Sequence, residues 1–177
     1  PPPMSGLRVD AVDQRVLETE RYAAPVDPGA EGAKSFALLG RAIPGLEIRV
    51  VDPDDGRVCR DREVGELQIR GTSVMAGYYK RPDATAATFD GDWLRTGDLA
   101  YLLDGELVLC GRIKDVIIVA GRNVFPEDVE RSVAEVEGVR AGNVIAFGVN
   151  GSRREGIVVV AEARTDDLDG VRSGVAS

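Results

Sequence analysis

The stretch WLRTGDLAYLLDGELVLCGRIKDVIIVAGRNVFPEDVE, residues 93–130, decides how the chain is read. Residues 99–103 and 106–110 flank Asp104-Gly105, the dipeptide favoured in two-residue type I′ turns, and so predict an antiparallel hairpin. The continuous apolar run 116–119 predicts a buried strand. Pro126 suits the first position of a helix. Glu127, Asp128 and Glu130 follow in its first turns, where the dipole favours negative charge, and Val129, Val133 and Val136 fall on one face. Polar, position-specific residues mark every joint, and functional residues tend to sit on loops that a rigid scaffold positions.

Working towards the N-terminus, Lys80-Arg81-Pro82-Asp83 opens a short helix that runs through Phe89 and ends at Asp90-Gly91. Residues 46–51 and 65–70 alternate as strands, separated by the turn cluster Asp52-Pro53-Asp54-Asp55-Gly56. Residues 1–34 are rich in Pro, Gly, Ala and charge, and read as an irregular segment with one short helix or strand around 9–17. Towards the C-terminus, strands are expected at 144–149 and 156–161, and the small polar residues of 165–177 are expected to fray. The fold class is therefore α+β: a small antiparallel β-barrel-like subdomain, then a partial α/β domain that packs a helix on a sheet. The polar joint Gly111-Arg112-Ile113-Lys114-Asp115 places the boundary between 1–113 and 114–177.

Composition narrows the function. The 177 residues are 44% hydrophobic and 29% charged, enough to bury a core. The net charge of -8 argues against sequence-independent binding to nucleic acid or anionic lipid. No apolar run approaches the roughly 20 residues of a membrane span, and Pro-Pro-Pro-Met-Ser-Gly lacks a signal peptide's apolar core, so a cytoplasmic protein is expected. Cys59 and Cys110 lack metal-site spacing, and with no histidine the Ser-His-Asp and Cys-His mechanisms are excluded. Any chemistry must run on carboxylates, Lys, Arg and backbone dipoles.

Two candidate residues follow from position. Asp98, after Thr96-Gly97, could accept both hydrogen bonds of a ribose diol, or merely close an Asx-turn on its own backbone. Arg112 offers a planar fork to ribose oxygens or phosphate, or a surface salt bridge. The hairpin brings the two towards one end. Lys114 and Asp115 read as a solvated charge pair or as a hinge, Gly121-Arg122-Asn123 as a strand-to-helix turn, and Glu127 with Arg131 as a helix-face pair.

Together these motifs resemble the adenylate-forming superfamily. Gly40-Arg41, Pro44-Gly45, Val51-Asp52-Pro53, Gly65-Glu66-Leu67, Gly77-Tyr78-Tyr79, the Trp-Leu-Arg-Thr-Gly-Asp run and Gly-Arg-Ile-Lys-Asp stand in that superfamily's order over residues 39–147. Val119-Ala120-Gly121-Arg122-Asn123, the run from Phe125 to Glu130, and the segment 7–35 are most similar to fatty acyl-AMP ligases, with Val124 a departure where those commonly carry His. The resemblance implies fatty acid and ATP as substrates, Mg2+ with the ATP, and a carrier-protein phosphopantetheine or coenzyme A as acyl acceptor. It gives Asp98 the ribose hydroxyls, Arg112 a second nucleotide contact, Lys114 the hinge of a mobile lid, and Gly121 a thiol-access loop. Arg122, Arg131, Arg140, Arg153 and Arg154 become candidate contacts to an acidic carrier. The superfamily's Gly-rich phosphate loop, its Tyr-Gly-x-x-Glu element and its late catalytic lysine are not found, so the chain is expected to be part of such an enzyme and inactive alone. A non-catalytic nucleotide- or partner-binding module is the alternative.

Overall fold

The structure, a computed structural model, describes residues 6–150 and 155–176. It divides into two compact units, Pro1–Lys114 and Asp115–Ser177.

The first unit begins with β1 (Val9–Asp13), α1 (Gln14–Glu20) and β2 (Ala33–Ala37). Asp13 caps α1 by accepting the amide of Val16 at 2.9 Å. β1 and β2 pair antiparallel from Val9↔Ala37 to Asp13↔Ala33, and Val12, Leu17 and Ala23 are buried. The irregular segment expected over 1–34 is thus, from β1 onward, a built piece of the unit. Its order comes from pairing with a strand some twenty residues away, which local Pro and Gly content conceals.

The main sheet holds β3 (Leu46–Val51), β4 (Gly65–Gly71), β5 (Phe89–Asp90), β6 (Trp93–Leu103) and β7 (Glu106–Arg112), with α2 (Pro82–Thr88) before β5. All pairings are antiparallel in the order β3-β4-β6-β5, and β7 also pairs with β6. This is the β subdomain expected from sequence. The helix expected to reach Phe89 stops at Thr88, because Phe89 and Asp90 pair with Leu94 and Trp93. At the β6–β7 turn Asp104 and Gly105 have φ of 51° and 78°, the positive values a type I′ turn requires.

Strand alternation gives the sheet two chemically distinct faces. Val50, Leu67 and Ala100 form a buried cluster joined by Ile48, Ile69, Leu102 and Leu107. On the other face the Arg49 and Arg70 guanidiniums lie 4.5 and 4.6 Å from the Trp93 ring centroid. Arg70 also grips Glu47 through two bonds of 3.0 and 2.8 Å.

A 3-10 turn, Ile113–Asp115, leads into the second unit. There follow β8 (Ile117–Val119), β9 (Arg122–Val124), α3 (Pro126–Ala134), β10 (Val139–Asn150), β11 (Glu155–Ala163) and α4 (Leu168–Ala176). α3 packs on β10, with Val133, Val144 and Ala146 buried and Glu130 accepting the amide of Ala146 at 3.0 Å. The helix-on-sheet arrangement was legible; four details differ. The apolar run 116–119 is only half-buried, with Ile117 inside and Ile118 58% exposed, because successive side chains of the β8–β9 ladder turn to opposite sides. The 121–123 loop is tighter than expected: Ala120 and Gly121, φ 49° and 77°, make the turn, and Arg122 and Asn123 already belong to β9. Arg131 pairs with Asp128 at 2.6 Å instead of Glu127, one residue nearer on the same face. Lastly, the tail expected to fray forms α4, where Asp167 accepts the amide of Gly170 at 3.0 Å.

Candidate functional site

The Thr96-Gly97-Asp98 tripeptide is a bulge built into the sheet. β4 and β6 are in register at Glu66↔Leu99 and again at Gln68↔Arg95. Between these pairs β4 has only Leu67, whereas β6 has Thr96, Gly97 and Asp98. The two surplus residues are absorbed by a left-handed Gly97 at φ 74°. Bulges re-aim side chains and are over-represented beside functional sites. The Thr96 hydroxyl spans this one, donating to the Leu67 carbonyl at 2.8 Å and accepting the Asp98 amide at 3.0 Å. Next to it Arg95 Nε donates to Oε2 of the buried Glu66 at 2.9 Å.

β6 is irregular on its other edge at the same level. Asp98 pairs with Arg112 and Leu99 with Gly111, after which the register shifts to Ala100↔Leu109, leaving Cys110 as the extra residue. The two sequence candidates therefore meet: Arg112 Nε donates to Asp98 Oδ1 at 2.8 Å. Their side chains stay 51% and 30% exposed, and among the described residues neither Asp98 Oδ2 nor the terminal nitrogens of Arg112 make a hydrogen bond. A carboxylate oxygen and a guanidinium fork thus face outward from one edge, able to accept from a diol and donate to an anion. The Asx-turn alternative does not describe this loop, since the turn is closed by Thr96. Buried Cys110, its thiol pushed up to about 12 by desolvation, is no nucleophile here.

Lys114 lies exposed in the 3-10 turn, two residues beyond Arg112. Gly121 belongs to the second unit, exposed in the β8–β9 turn. Of the basic candidates, Arg131 is held by Asp128 and Arg140 by Glu162 at 2.7 Å; Arg122 sits on β9; Arg153 and Arg154 lie outside the described residues. Among the described residues no group of three His, Cys, Asp or Glu could hold a metal ion. Thr96 and Glu66 lie within motifs quoted from the sequence, but neither was given a role of its own there. A hydroxyl residue followed by glycine inside an alternating strand was the available signal.

A family model described as the AMP-binding enzyme matches residues 18–79. Over those residues, about a third of its length, the chain matches the AMP-binding enzyme family. It is 40% identical over 168 residues to a Caulobacter vibrioides protein provisionally named an acyl-CoA synthetase, covering 93% of this chain and 29% of that protein. A Mycobacterium marinum 4-hydroxyphenylalkanoate adenylyltransferase is 36% identical over 173 residues, 91% of this chain and 26% of its own length. A solved structure from work on fatty acyl-adenylate ligases of E. coli and L. pneumophila superposes with a TM-score of 0.80 at 36% identity, covering 96% of this chain and 30% of that one. The chain thus spans less than a third of the length of such relatives. No helix among the described residues is long and apolar enough to cross a membrane.

Proposed function

We propose that this chain supplies the ribose-binding edge of an ATP-dependent ligase that joins a fatty acid to AMP and then passes the acyl group to a thiol. The observation that carries the reading is the bulge-borne Asp98 beside Arg112, on a chain that matches the AMP-binding enzyme family over residues 18–79. Asp98 accepts the ribose hydroxyls, and Arg112 turns from Asp98 towards ribose or the phosphate side. Lys114 serves as the hinge between an adenylating domain ending near residue 113 and a mobile lid, and Gly121 lets a thiol arm pass close to the backbone.

The reacting carboxylate is ionised at neutral pH, so attack on the α-phosphate needs no general base, in keeping with a chain without histidine. Catalysis of this kind rests on positioning and on cations that meet developing phosphate charge. Among the described residues no group of three acidic side chains could hold Mg2+, and the ion would enter as the partner of ATP. The chain's own residues orient the sugar and leave phosphoryl chemistry to other parts of a longer polypeptide.

Titrating the 177-residue chain with AMP tests the reading. Binding that falls about tenfold in D98N supports it, and undiminished binding in that variant overturns it. ATP–pyrophosphate exchange by the chain alone is expected at background; robust exchange would overturn the division of labour. A carrier-protein phosphopantetheine is the proposed acceptor, favoured by the likeness to fatty acyl-adenylate ligases, while the acyl-CoA synthetase relative favours coenzyme A as the second reading. Rates with the two acceptors, measured in a polypeptide of the relatives' full length that contains this segment, separate them.

A further inference from the structure

We infer that Thr96 is a positioning residue for Asp98, acting through its hydroxyl across the bulge; the inference rests on the nucleotide reading above. The backbone makes such a device necessary. Leu67 has no register partner on β6, so on the β4 side no ladder pair fixes where Asp98 points, and its one register partner is Arg112 on β7. Gly97 supplies the left-handed conformation but adds freedom, since glycine takes many conformations at little cost.

The Thr96 hydroxyl removes that freedom at both ends. As donor it ties the bulge to the Leu67 carbonyl of β4, and as acceptor it ties the Asp98 amide to its own loop, using both hydrogen-bonding capacities of one oxygen at 2.8 and 3.0 Å. Asp98 is thereby fixed at its backbone, while its carboxylate is held through Oδ1 by Arg112 and leaves Oδ2 for a ligand. The Arg95–Glu66 ion pair anchors the residue before the bulge, with Gln68 donating to the same Glu66 oxygen at 3.4 Å. Arg95 is 47% exposed on its side chain, so this second tie is the weaker. A β-branched hydroxyl also has few rotamers, which makes threonine better suited than serine to hold the bridge.

The test compares the affinity of the 177-residue chain for AMP with that for 2′,3′-dideoxy-AMP, which lacks the diol, by NMR titration. Wild type should prefer AMP about tenfold, the scale of hydrogen bonds to a charged acceptor. T96V keeps the shape and loses both bonds, and the preference should collapse towards one; T96S should restore most of it. A preference unchanged in folded T96V, or lost equally in T96S, would overturn the inference. T96S also keeps the test open should T96V not fold. D98N separates the two ideas. If D98N abolishes the preference while T96V keeps it, the nucleotide reading stands and the Thr96 role falls. If wild type shows no preference, or D98N retains it, both fall.

Discussion

Among the aspartate–arginine pairs of the first unit, Asp10–Arg62 and Asp98–Arg112 are built to opposite specifications. Asp10 is gripped by both terminal nitrogens of Arg62 at 3.0 and 3.2 Å, while the Tyr101 hydroxyl donates to it at 2.7 Å. Arg62 spends a further hydrogen bond on the Ala23 carbonyl at 2.8 Å. Those side chains are only 10% and 19% exposed, and Tyr101 is wholly buried. Asp98 and Arg112 share a single bond and remain in contact with solvent. Multiply bonded and dry, the first pair holds Asp10 of β1 where the Tyr101 hydroxyl of β6 meets it. Single-bonded and wet, the second has hydrogen-bonding capacity to spend on something else. An ion pair's identity thus says little about its role; its saturation and burial say more.

The comparison breaks most sharply at Arg62. Removing one partner of a buried pair leaves an uncompensated charge, and R62A should lower stability by about 3 kcal/mol or more, read as a denaturant midpoint. A loss below about 1 kcal/mol would mean that water replaces the guanidinium and that the cluster is no structural tie. Y101F should cost less, about 1 kcal/mol, because Asp10 keeps Arg62.

Y101F carries a second signature in its pH dependence. Burial and the hydrogen bond to Asp10 raise the Tyr101 phenol above its ordinary value of 10.0. The folded chain then keeps a proton that the unfolded chain releases, so this contribution to stability is whole below pH 10 and is lost as pH rises further. Cys110 acts with the same sign, raised by burial from 9.0 to about 12, and its contribution fades from pH 9 upward. Stability measured through this alkaline range should fall less steeply in Y101F and in C110A than in wild type. An unchanged slope in Y101F would show that the phenol is not held as the structure has it.

Sequence reading reached one of these two pairs. Asp98 and Arg112 were found because a recognisable turn, Asp104-Gly105, fixes the hairpin register that joins them over fourteen residues. Asp10, Arg62 and Tyr101 were invisible because their links span 39 to 91 positions and no local periodicity encodes them. The same division holds for the fold. Strands β3, β4, β6 and β7 and helix α3 follow from alternation, turn dipeptides and caps, whereas β1–β2 and α4 owe their order to tertiary packing and local capping in segments of poor pattern. The bulge falls between these cases: its residues were singled out, yet the count of three against one that creates it depends on knowing which residue of β4 lies opposite.

The smallest predicted effect gives the comparison its other arm. If Asp98 and Arg112 are reserved for a ligand, removing either should hardly disturb the empty fold: D98N and R112Q should each shift stability by no more than about 0.5 kcal/mol, as exposed ion pairs do. The double variant should show a coupling near zero in a thermodynamic cycle without ligand. With AMP present, each single variant should lose ligand-induced stabilisation, since only the state that binds is protected by mass action. A coupling in the empty chain as large as that expected around Asp10 would make the second pair structural too, and the outward-facing oxygen of Asp98 would then be an accident of the bulge.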